Sequence, residues 1–150
     1  MPVFILLKEK IMWSKTYSQK VTGLDAEQLW KVWTDVNQWH TWQDDIEYAK
    51  LDGEFSAGQS ILFKPKGSSE IKIELTRVEP NQRFVDLTRF PLAKMYDTHE
   101  IIEHGNQLEV KTTVSLQGIL APLWRKLVAE DIANSLDIQT ERLIARAKNA

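Results

Sequence analysis

Apolar residues recur along this chain with two different periods, and the change of period marks out its elements. Leu29, Trp33 and Val36 stand at i, i+4 and i+7, the spacing of one helix face, with Trp30 flanking them. Asp25 offers an N-cap oxygen, Gln28 stands three residues on to close a capping box, and Leu24 can staple against Leu29. This predicts a helix starting at residue 26 with Trp33 facing inward. Asp35 to Asn37 interrupt the pattern, and Trp39 and Trp42 at i and i+3 suit a second short helical turn. From 46 to 117 the period falls to two. GEFSAG (53–58), PKGSS (65–69), EPNQ (79–82), FPLAK (90–94) and HGNQ (104–107) punctuate it, which predicts six short strands in antiparallel hairpins. Residues 12–21, MWSKTYSQKV, alternate more weakly and predict a strand before the first helix. Residues 119–148 hold no glycine, and Pro122 is tolerable in a first helical turn, so one long terminal helix is expected. Its apolar stripe drifts around the axis, giving it a sheet-facing and a pocket-facing side.

Pairing the last two strands across HGNQ is the most informative local step. With Glu103 opposite Leu108, Glu100 meets Lys111 in a favourable cross-strand charge pair. The same register sets Ile101 opposite Val110, His99 opposite Thr112, Asp97 opposite Val114, and Met95 near Leu116. Alternation then puts Asp97 and His99 on the apolar face. Two ionisable groups pointing inward must pair, meet water or meet a ligand. Two readings are open. In the first, Asp97 holds His99, or Arg89 neutralises Asp97, in a purely structural network. In the second, His99 and Asp97 are an acid/base pair inside an apolar cavity.

Composition narrows the classes. At 150 residues, 43% hydrophobic and 27% charged, the chain reads as one domain over 1–150 that can bury a core without disulfides or structural metal. The absence of cysteine removes thiol nucleophiles and thiolate zinc sites and fits a reducing compartment, so the cytoplasm is expected. Net charge of −2 with dispersed Lys and Arg gives no footprint for nucleic acid. FILL at 4–7 is too short for a membrane span, and the KEK after it comes too early for a signal peptide. Residues 1–11 are read either as a mobile extension or as lying upstream of the natural start.

No G-x-S-x-G, Walker A or G-x-G-x-x-G pattern occurs. Metal is not expected: His99 and His104 are five apart on or beside a strand and go to opposite faces, while His40 belongs to the Trp-rich segment. No cofactor is expected either. Four of the six tryptophans fall within 26–42. Most are read as core, with Trp33, Trp42 and Trp124 as candidate ligand walls. Phe63, Ile73, Arg89, Thr112, Val114 and Leu127 complete the candidate ligand set with Asp97 and His99.

The order of elements, with DAEQLWKVWTDVNQWHTW (25–42), LDGEFSAGQ (51–59), LTRVEPNQRFV (75–85) and the terminal helix, resembles the START-like polyketide cyclase/dehydrase superfamily. This is the helix-grip, Bet v 1-like (SRPBCC) group. The resemblance covers residues 12–148. It implies an α+β fold in which a curved seven-stranded antiparallel sheet wraps a long C-terminal helix, with two short helices after strand 1 closing one end. It also implies an apolar cavity between sheet and helix. The group has no shared catalytic motif to transfer, and its members range from ligand carriers to cyclases and co-chaperones.

Binding of a small hydrophobic molecule is therefore the first reading of function. A polyketide cyclase, aromatase or dehydratase using His99 with Asp97 is the alternative, and a co-chaperone or quinone-chaperone domain a further one. No nucleic-acid partner and no integral membrane association are expected. A homodimer is the oligomer considered.

Overall fold

The structure, a computed structural model, describes residues 12–149, so the reading of residues 1–11 as an extension lies outside them. Seven strands form one antiparallel sheet: β1 (Trp13–Val21), β2 (Ile46–Lys50), β3 (Ser60–Pro65), β4 (Ile71–Glu79), β5 (Arg83–Phe90), β6 (Ala93–His104) and β7 (Gln107–Gln117). Their spatial order is β1-β7-β6-β5-β4-β3-β2. Every neighbour from β2 to β7 is also a sequence neighbour, which is what short hairpin connections produce. Register shifts between Ile46 and Tyr48, and between Leu75 and Arg77, are bulges. Bulges bend and twist their strands, which helps a sheet to curl.

Helix α1 (Ala26–Thr34) starts where Asp25 and Gln28 predict it. Asp25 Oδ1 accepts from the Gln28 amide at 2.8 Å, and Gln28 Oε1 accepts from the Asp25 amide at 2.9 Å. The second helical turn, Val36–Thr41, is 3-10. Its Trp39 indole donates to the Trp33 carbonyl at 3.0 Å, which fixes its angle to α1.

The terminal helix runs from 121 to 148 but is not one uniform α-helix. It comprises α2 (Ala121–Trp124), a π turn (Arg125–Ala129), α3 (Glu130–Asn134) and, after a break at Ser135, α4 (Leu136–Lys148). At the break the Ser135 amide and hydroxyl both donate to the Ile132 carbonyl. Ala129, Ala133, Leu136, Thr140, Leu143 and Ala147, spaced alternately four and three residues apart, keep one face turned inward across the break.

Two apolar clusters hold the molecule together. One joins α1, the 3-10 helix and the end of α4 to the sheet through Leu29, Trp33, Ile61, Leu75, Phe84 and Leu143. The other gathers Met95, Val114, Leu116, Ala121, Ala129 and Leu136 under the start of the terminal helix. Between them the sheet and helix do not close.

Candidate functional site

That gap is a chamber of about 490 Å³, lined by members of both clusters and by the inner faces of β3 to β7 and the terminal helix. Trp33, Trp39 and Trp42 close one side, and Phe63, Ile71 and Ile73 rise from β3 and β4. Trp33 is 4% exposed, while Trp42 is only partly buried. The dense tryptophan segment thus divides its rings between core and wall.

The chamber floor follows from register. On its inner face β5 presents Phe84, Asp86 and Thr88, and β6 sets His99, Asp97 and Met95 opposite them. On β7, Thr112, Val114 and Leu116 stand opposite His99, Asp97 and Met95, and of the three Thr112 reaches the chamber. Two aspartates therefore face each other across adjacent strands, an unfavourable arrangement for two charged groups. His99 Nε2 lies 3.3 Å from Asp86 Oδ2, and His99 Nδ1 lies 3.5 Å from Thr112 Oγ1. With Asp86 ionised, Nε2 donates to it and Nδ1 accepts from the Thr112 hydroxyl. The imidazole stacks on Phe84, with centroids 4.3 Å apart, and meets Trp33 edge-on at 5.7 Å.

Asp97 has no such support. Its Oδ1 is buried without a hydrogen-bond partner among the described residues. Burial, reinforced by the neighbouring charge of Asp86, holds its carboxyl well above the usual carboxylate range. In its protonated form this carboxyl can donate a hydrogen bond into the chamber.

Placement of the sequence-derived candidates divides them. Trp33, Trp42, Phe63, Ile73, Asp97, His99, Thr112 and Leu127 stand on the chamber wall. Leu127 is 57% exposed and belongs to the mouth. Three positions are corrected. Arg89 does not reach Asp97: residues 84, 86 and 88 take the inner face of β5, and Arg89 pairs with Glu74 at 3.1 Å in solvent. Trp124 stacks on Phe90 at 4.5 Å and donates to the Pro91 carbonyl at 3.0 Å, outside the chamber. Val114 is fully buried filler in the second cluster and does not line the space. The expected partner of His99, Asp97, is replaced by Asp86, a residue the sequence reading missed. Trp39 and Phe84 were missed as walls.

Asp86, Asp97 and His99 also form the one set of possible metal ligands found among the described residues, each offering an atom within 4.8 Å of the others. The histidine spacing gave no hint of it, because its second and third members are carboxylates on two strands.

No family model matches the sequence, and no curated protein does. Solved structures do. A hypothetical protein, jhp0584 from Helicobacter pylori, superposes with a TM-score of 0.73 at 14% identity, over 90% of this chain and 88% of that one. Ara h 8.0201 gives 0.68 at 11% identity, over 92% and 100%. Norcoclaurine synthase from Thalictrum flavum, solved in complex with dopamine and hydroxybenzaldehyde, gives 0.65 at 13% identity, over 93% and 88%. The chain has the Bet v 1-like helix-grip fold. In helix-grip terms the sheet is the palm and the terminal helix the gripped rod, with α1 and the 3-10 helix closing the end where the tryptophans collect. At these identities the likeness carries the fold alone. No helix among the described residues is long and apolar enough to cross a membrane.

Proposed function

We propose that this protein binds a small, mostly apolar molecule in the chamber between sheet and terminal helix. One observation carries the reading: a chamber of about 490 Å³ walled by aromatic and aliphatic side chains, with a few polar groups converging on its floor. Sites for small molecules have this size and make-up. The norcoclaurine synthase structure holds two small aromatic molecules, which fits a fold that accommodates such guests. The cysteine-free composition suits the cytoplasm as the place where it works.

Native mass spectrometry of freshly purified protein, followed by identification of what co-purifies, tests this. The expected result is an adduct of small-molecule mass that disappears in Ile73→Trp, a variant that fills the chamber from β4. Loss of the adduct with an unchanged circular dichroism spectrum supports the reading. An adduct that persists in the filled variant contradicts it.

A second reading, proton transfer on a carbonyl substrate in the manner of a cyclase or dehydratase, rests on the Asp97 carboxyl. His99 has both ring nitrogens engaged by Asp86 and Thr112, so Asp97 would face the substrate and His99 would position the pair. Turnover of a polyketide-like carbonyl compound that survives in both Asp97→Asn and His99→Ala would contradict this role.

A further inference from the structure

The polar groups of the chamber have a one-sided charge. Asp45, Asp86, Asp97 and Asp131 line it, with His99 as the one basic side chain, and no lysine or arginine among the described residues does so. Asp45 and Asp131 are exposed and sit at the mouth, whereas Asp86 is 6% exposed and lies on the floor beside Asp97. The arginines of β4 and β5 pair with glutamates and line no part of the chamber: Arg77 with Glu79, Arg89 with Glu74, and Arg83 near Glu79 and Glu100.

An anionic guest such as a fatty acid would meet two carboxyl groups on the floor and no cation to receive it. A neutral guest would leave one of those carboxyl groups without a counter-charge. A protonated amine would satisfy both. Ligand atoms of Asp86 and Asp97 lie within 4.8 Å of each other, so a nitrogen seated between them can lie about 2.8 Å from both, a distance typical of an ammonium–carboxylate hydrogen bond. The orphaned Asp97 Oδ1 gains a donor.

We infer that the guest is a cationic amphiphile, an apolar tail carrying a basic nitrogen seated between Asp86 and Asp97. The inference rests on the chamber being a binding site, and it names the chemistry that the site selects.

Three probes with one tail test it: decylamine, 1-decanol and decanoate, titrated into the full chain with tryptophan fluorescence as the readout. Trp33, Trp39 and Trp42 line the chamber and report on occupancy. Decylamine is expected to bind tighter than decanol by about tenfold or more, the scale of a charge-assisted hydrogen bond, and decanoate weakest. In Asp97→Asn and Asp86→Asn the ratio of amine to decanol affinity should fall to about twofold or less. If Asp86→Asn fails to fold, because His99 loses its partner, Asp97→Asn alone carries the test.

Decanol matching decylamine, or decanoate exceeding both, overturns the inference and leaves the chamber as a binding site. An amine preference that survives in both variants also overturns it, since the nitrogen then sits elsewhere. Stoichiometric divalent metal in the purified protein, lost in the same variants, overturns it in favour of a metal centre. Failure of all three probes to bind goes further and counts against the chamber reading itself.

Discussion

Two histidine–carboxylate pairs are built on β6, their histidines five residues apart and on opposite faces of the strand, one reaching to β5 and the other to β7. His104 meets Glu109 at 2.8 Å near the turn, where both are open to water. His99 meets Asp86 at 3.3 Å inside the chamber, with Asp97 beside them. At the outer pair the hydrogen bond from His104 holds the Glu109 carboxyl below its usual range. At the inner site burial and a second carboxylate push Asp97 the other way. The same residue types therefore acquire opposite acidities, and what separates them is solvent. A carboxylate in water is free to take its best partner. A carboxyl group under an apolar roof is held in whatever protonation state the roof allows.

Breaking the aromatic packing around His99 should have the largest effect. Phe84 is 2% exposed, stacks on His99 and meets Trp30, Trp33 and Phe55 edge-on. Phe84→Ala should cost about 3–5 kcal/mol in chemical denaturation, the range for deleting a buried ring. It should also bring Asp97 back toward the ordinary carboxylate range by admitting water.

A smaller effect of opposite sign is expected from Asp97→Asn. A carboxyl group whose folded pKa exceeds its unfolded one contributes stability only while protonated, and that contribution is lost as pH rises through the folded value. The isosteric amide avoids that loss and can donate to Asp86. Thermal melts should therefore show Asp97→Asn more stable than the parent at pH 8, by on the order of 1 kcal/mol. The gain should shrink toward zero near the usual value of 3.8. A variant less stable than the parent at pH 8 would mean that the carboxylate has a partner after all.

At the outer pair, His104→Ala should leave the melting midpoint unresolved from the parent, since exposed ion pairs contribute little. Its effect should be local: the Glu109 titration moves up, with the Ser18 hydrogen bond and the Lys111 charge still holding it down in part.

How much of this was legible in the sequence depended on the turns. Gly105 takes a positive φ of 63° in a two-residue turn, which fixed the β6–β7 register and with it the inward Asp97 and His99. The preceding turn hid its register. FPLAK reads as a five-residue break, yet Phe90 pairs with Ala93 and only Pro91 and Leu92 turn the chain. Leu92 adopts φ 57°, a conformation usually left to glycine or asparagine. It is held there from outside: its carbonyl accepts from the Leu120 amide at 3.0 Å, and Gly118 packs so close that a Cβ would fall 2.6 Å from that oxygen. Because this support comes from residues nearly thirty positions away, no local pattern could announce the tight turn. With it, the same parity rule would have set Asp86 opposite Asp97 and sent Arg89 outward. Trp124 went astray for a related reason, since a drifting helical stripe does not state where the helix changes type. The fold itself was legible, because capping residues, strand parity and turn spacing are each local.

The most direct test of the account is a carboxyl-carbon NMR titration of the parent protein. Asp97 is predicted to titrate well above ordinary aspartates while Glu109 titrates below ordinary glutamates, within one sample. Asp97 titrating together with the surface carboxylates would mean that water reaches it freely, and the sheltered chamber on which the functional reading stands would be contradicted.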